Sequence, residues 1–255
     1  MDLAALAALQ RVVAHPPEKW HLVARNLQDH GPLVAQSLIL EARECWRDDL
    51  PRARYAAAAA VAAVEREADR CPRAATVAAL AHAIDANVAR LEGRFDDAEL
   101  SIQTACECLK VSEWSGFAIG EVAVYAGSLA RTRRDFDAAL RLLHKATVAF
   151  LIDEHPFEAL RCLVMMALCR RNAGDTAEAA AMLRRVLPLT RMVDDELYTT
   201  ALHNLAVCHA CLGQGEKARS LLPEVRQRVY ASGHWANMLR VEWLEGLTCL
   251  AENNA

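Results

Sequence analysis

The sequence has little of what builds sheets, loops and large aromatic cores. Its 255 residues include 10 glycines and 8 prolines; turns of many-stranded folds consume both, so their scarcity favours long helices joined by tight turns. Aromatic residues make up 5% of the chain, against 54% hydrophobic and 24% charged residues, so small and aliphatic side chains carry the apolar content of what reads as a helical protein. A net charge of −4 and a pI near 6.1 leave no basic surplus for neutralising phosphates, which argues against general nucleic-acid binding. The longest apolar run, YAAAAAVAAV from Tyr55 to Val64, is too short and alanine-rich to span a bilayer, so no membrane partner is expected. The opening MDLAALAALQRVVAH carries Asp2 and lacks a basic region before its apolar stretch, so no signal peptide and a cytoplasmic location are expected. Nine cysteines, an odd number, read as reduced thiols serving as small hydrophobes.

Motifs of catalysis are missing too. There is no G-x-S-x-G, phosphate-binding glycine loop, H-E-x-x-H or dinucleotide fingerprint, so no enzyme activity and no cofactor are expected. The acids and histidine of LIDEHPFEAL, namely Asp153, Glu154 and His155, directly precede Pro156 and read as a turn with capping acids.

What is present is a repeat. VARLEGRFDDAEL, LARTRRDFDAAL, CRRNAGDTAEAA and HACLGQGEKARS align without gaps on Ala98, Ala139, Ala179 and Ala218, at spacings of 41, 40 and 39. Twelve residues before these anchors stand Ala86, Gly127, Ala167 and Ala206, small enough for close helix approach. Four residues after them come Ile102, Leu143, Leu183 and Leu222, and seven after come Ala105, Ala146, Val186 and Val225, offsets that share one helix face. Gly93, Gly174 and Gly213 can end a first helix in left-handed conformation, and Asp96, Asp97, Asp135, Asp137, Asp175 and Glu216 favour the start of a second. Arg134 replaces glycine in one turn, a weaker match to the pattern.

The pattern of small residue, turn, alanine and spaced apolar stripe resembles the tetratricopeptide repeat (TPR), in the longer form of bacterial and kinesin-light-chain-like members; LHNLAVCHACLGQGEKA matches it best. The resemblance implies an all-α, right-handed superhelical solenoid of antiparallel helix pairs, about eleven to thirteen helices in all. The expected organisation is an N-terminal helical cap over 1–31, repeats over 32–232 and a C-terminal capping helix over 233–255. The repeats divide into a degenerate unit at 32–72 and units at 73–112, 113–152, 153–193 and 194–232.

Two features could carry function. Cys208-His209-Ala210-Cys211 contains a C-x-x-C, a metal or redox pattern when a second pair exists. None does, and Cys208 falls in a column with Val88, Leu129 and Cys169, so it reads as a core position; His209 reads as a partly exposed helix junction, and no metal is expected. In the resembled family the concave surface, lined by the first helix of each unit, binds peptides. Eight residues before the anchors stand Arg90, Arg131 and Arg171; Asn87 and Ser128 stand eleven before, Tyr125 and Asn204 fourteen before, with Arg161 and His203 nearby. Arginine suits bidentate capture of a carboxylate, and asparagine can hold a peptide backbone. These nine residues are therefore candidates for holding a protein or peptide segment that is acidic or ends in a carboxylate. Alternatively the arginines are ordinary solvated charges paired with acids such as Glu92 or Asp135. The functional expectation is a non-catalytic scaffold or adaptor; a peptide- or ligand-sensing module of a bacterial signalling or transcription system is the alternative. The alanine and arginine richness fits a bacterial source.

Overall fold

The regular structure of the described residues consists of thirteen α-helices and one short 3-10 turn at Pro17–Lys19, without a strand. The structure is a computed structural model that describes residues 3–27, 30–69, 71–232 and 235–253. Its contacts divide it into two compact units, 1–133 and 134–255.

The first unit contains α1 (Leu3–Val13), α2 (Trp20–Ala24), α3 (Gly31–Cys45), α4 (Leu50–Val64), α5 (Pro72–Leu91), α6 (Phe95–Val111) and α7 (Gly116–Thr132). Each of α3 to α6 packs on its successor in the chain, and α5 also packs on α3 and α7, so the first helices of successive pairs lie side by side. The second unit contains α8 (Phe136–Ile152), α9 (Pro156–Asn172), α10 (Thr176–Val193), α11 (Asp195–Cys211), α12 (Gly215–Ser232) and α13 (Trp235–Asn253). There too each helix packs on the next, with α11 touching both α9 and α13.

Local sequence explains where these helices start and stop. The side chains of Asp49, Ser115, Asp135 and Asp194 accept hydrogen bonds from the backbone N–H three residues on, while Pro72 and Pro156 occupy first helical positions where no N–H is needed. The turns after α5, α9 and α11 place Gly93, Gly174 and Gly213 at φ of 78°, 99° and 69°. The following N–H then returns to a carbonyl five residues back: Arg94 to Ala89, Asp175 to Arg170 and Gln214 to His209, each at 2.9 Å. Arg134, the weak match in sequence, takes φ of 64°. It adopts the same left-handed backbone as the glycines, so the geometry of that turn is kept although a Cβ makes it costlier. Glu154, between α8 and α9, does likewise at φ of 59°, and His155 N–H reaches Phe150 C=O at 2.8 Å.

Packing follows the aligned columns. Ala98, Ala139, Ala179 and Ala218 are all completely buried, as are Leu143 and Leu183. Each such leucine adds about 2–3 kcal/mol by leaving water. In the first unit the seam is written mainly in alanine: α4 buries Ala53, Ala56, Ala57, Ala59, Ala60, Ala62 and Ala63, and α5 buries eight more alanines. Approach is so close that a Cβ on Gly31 would lie 2.1 Å from the Ala63 carbonyl oxygen. The second unit uses larger side chains, with Val164, Leu183, Leu197 and Leu205 in one cluster and Leu202, Val225, Val241 and Leu244 in the next. There α13 packs on α11 and α12, and Arg219–Glu252 and Arg226–Glu245 bridge it to α12. Among the described residues no helix is long and apolar enough to cross a membrane.

Candidate functional site

Helices α5 and α7 of the first unit bring five of the nine candidates together. Asn87 and Arg90 lie one turn apart on α5, where residues three apart are neighbours. Arg90 Nη2 and Nε donate to Asn87 Oδ1 at 2.8 and 3.2 Å, and Nη1 reaches Thr132 Oγ1 on α7 at 3.4 Å. Thr132 Oγ1 in turn donates to the Ser128 carbonyl at 2.9 Å. Burial, and then the nearby Arg131 guanidinium, hold Arg90 below its ordinary value, with Tyr125 acting in the opposite sense. Arg131 is half-buried, and its guanidinium makes no hydrogen bond or ion pair with the described residues.

Tyr125 and Ser128 on α7 are buried, as is Asn87. Tyr125 is engaged by the chain itself: Arg43 Nη2 and Nε donate to its hydroxyl at 3.3 and 3.4 Å, and the Trp46 ring meets it edge-on with centroids 6.1 Å apart. Arg43 also forms an ion pair with Glu121, whose side chain is 1% exposed. Because Arg43 lies on α3 and Glu121 on α7, this pair ties together the two helices that flank α5. A buried carboxylate is tolerable only with such a partner, since the lost hydration must be replaced by charge and hydrogen bonds. Tyr125 thus stands between two arginines, bonded by Arg43 and within electrostatic reach of Arg90.

The second unit holds the other four candidates on α9 and α11. Arg171 Nη1 donates to Asn204 Oδ1 at 2.8 Å, and Asn204 Nδ2 donates to the Thr200 carbonyl at 2.7 Å. His203 Nε2 lies 3.5 Å from the Arg240 carbonyl oxygen on α13; burial, followed by the charges of Arg240 and Arg171, favours its neutral form. Arg161 is half-buried one residue before Cys162 and depresses that thiol's pKa, against a larger rise from burial. Arg90 and Arg171 therefore play matching parts: each reaches from one first helix to the next. Neither is paired as the alternative reading expects, because Glu92 joins Arg94 and Arg54 while Asp135 caps α8.

At the Cys/His cluster, Cys208 is fully buried and its thiol is pushed up to about 11 by that burial. His209 differs from the sequence expectation. It is 7% exposed, and its Nδ1 lies 2.8 Å from Gln214 Oε1, so the glycine turn folds a side chain back over it. Cys211 is exposed, and the described residues contain no group of three His, Cys, Asp or Glu placed to hold a metal.

Sequence reasoning missed Arg43, Trp46, Thr132 and Gln214. Thr132 and Gln214 are local to the turns and legible from helical spacing. Arg43 and Trp46 sit where the repeat is degenerate, 82 residues from Tyr125 in the case of Arg43, and no periodic signal points to them.

No family model and no curated protein matches the chain. Solved structures do. BtubC (BKLC) from P. vanneervenii is similar with a TM-score of 0.65 at 14% identity, covering 92% of this chain and 94% of that one. Nearly identical TPR-like repeats of a protein described as a kinesin light chain, from Podosopora anserina, are similar with a TM-score of 0.57 at 16% identity, covering 81% of this chain and 99% of that one. At such identities the likeness establishes the fold: the chain is an all-α, TPR-like solenoid.

Proposed function

We propose that the chain is a non-catalytic scaffold whose first-helix faces bind a segment of another protein bearing acidic side chains or a terminal carboxylate. The observation that carries this reading is the Arg90–Arg131 pair. Arg131 lies close enough to disfavour the charge of Arg90, which Asn87 and Thr132 hold in place, while the Arg131 guanidinium makes no bond to the described residues. A carboxylate placed against both relieves the repulsion and accepts forked hydrogen bonds. In the second unit, Arg171 and Asn204, with His203 and Arg161 beside them, offer the same combination of cation and amide. Nine free thiols fit a reducing compartment such as the bacterial cytoplasm.

The test is affinity capture from host lysate at low salt. It compares the parent with Arg131→Glu and with Arg90→Glu, Arg131→Glu and Arg171→Glu combined, each checked for helicity by circular dichroism. The expected result is a partner that the parent retains, the single variant holds more weakly and the triple variant loses. A partner retained equally by all three would overturn the assignment of these arginines.

A further inference from the structure

Helix α13 carries two apolar faces, one packed and one exposed. Its inner side buries Val241, Leu244, Thr248 and Ala251. Its outer side carries Leu239, Trp243 and Leu250, exposed by 54%, 57% and 60%, with exposed Gly246 among them. Positions 239, 243, 246 and 250 form one stripe at helical spacing, about 16 Å long. Arg240 and Glu242, both exposed, flank it as a polar rim.

Nothing among the described residues accounts for Gly246. A Cβ built there meets nothing within 4 Å, and its φ is not among the positive values of the structure. Mid-helix glycine also disfavours the helix relative to any ordinary residue. The glycine and the three exposed apolar side chains share one face.

The stripe is spaced four, three, four, so it reads the same in both directions about the point between Leu244 and Glu245. Its chemistry is complementary under that reversal. An antiparallel second helix of the same sequence places Trp243 of each copy in the gap left by Gly246 of the other, and Leu239 of each against Leu250 of the other. An isologous two-fold contact requires this kind of self-complementary patch, whereas an unrelated helix would require no symmetry of spacing. The tryptophan is the type of side chain that anchors interfaces when a pocket receives it.

We propose that the outer face of α13 is a homodimer interface, with two copies packed antiparallel through Trp243 and Gly246. A single helix pair is small among stable interfaces, so the dissociation constant is expected in the micromolar range. Sedimentation equilibrium on the full chain tests it. The parent should show a monomer–dimer equilibrium. Gly246→Leu fills the gap without touching the chain's own packing and improves helix propensity; it should raise the dissociation constant at least about tenfold while leaving the melting temperature unchanged or higher. Trp243→Ala should do the same to association. Exchanging the two, Trp243→Gly with Gly246→Trp, keeps the pairing under the two-fold and should restore the dimer. A parent that stays monomeric up to about 1 mM would overturn the proposal. So would a dimer indifferent to Gly246→Leu, or a folded exchange variant that fails to associate.

Discussion

Arginine–carboxylate pairs tie helices together in both units, in opposite settings. In the first, Arg43 reaches Glu121 where the carboxylate is 1% exposed, and a tyrosine hydroxyl and a tryptophan edge complete the surroundings. In the second, Arg219–Glu252 and Arg226–Glu245 join α12 to α13 at the surface, with arginine exposures of 52% and 58%. The chemistry is the same, but water decides its worth. At the surface, solvation competes with the pair and side-chain entropy opposes it. In the interior each partner becomes indispensable to the other, because removing one strands a charge away from water. What the second unit buries is sulfur: Cys162, Cys169 and Cys208 lie in its core as free cysteines.

The largest expected effect breaks the buried pair. Glu121→Ala should cost about 3–5 kcal/mol of stability by urea unfolding, while the joint replacement Glu121→Leu with Arg43→Met should cost far less. A loss as small as that of a surface pair would erase the contrast between the units.

Next comes alkali, which should act through the second unit's core. Burial pushes Cys162 and Cys208 from 9.0 up to about 11. Below pH 9 both folded and unfolded chains hold these protons. Between pH 9 and 11 the unfolded chain releases them and the folded chain keeps them, so stability falls as pH rises and levels off above. The expected loss is about 2–3 kcal/mol per thiol. Urea midpoints should therefore drop less across this window in a variant carrying Cys162→Ala and Cys208→Ala than in the parent, and equal drops would remove the thiols from the account.

The smallest effect belongs to the exposed pairs. Glu245→Gln and Glu252→Gln should leave the urea midpoint where it was at physiological salt. A clear destabilisation would mean that these pairs are shielded from water after all.

Much of this architecture could be read in the sequence because the repeat imposes two separate constraints, a left-handed residue at each turn and a small residue at each close approach. Ala98, Ala179 and Ala218 sit where the alignment puts them, and Arg134 shows that the backbone keeps the turn even where glycine is absent. The candidate site was legible only as columns. Helical spacing brought Asn87 beside Arg90 and the shared repeat column put Arg131 near Arg90, but spacing carries no information about what the rest of the chain lays against a column. Tyr125 looked available for a ligand, yet Trp46 and Arg43 engage it. His209 looked half-open, yet Gln214 closes over it. The outward stripe of α13 was legible in principle, since 3.6-residue periodicity yields two apolar faces there, one of which the fold does not use.

The alanine seam between α4 and α5 also has a calorimetric consequence. An alanine removes only one methyl group from water, so this region gains its cohesion from close dispersion contacts more than from the area it dehydrates. The heat capacity gained on unfolding scales with apolar surface exposed, and it should therefore be smaller per residue for the first unit than for the leucine- and valine-packed second. Its stability should accordingly vary less with temperature, bending more gently toward cold and heat alike.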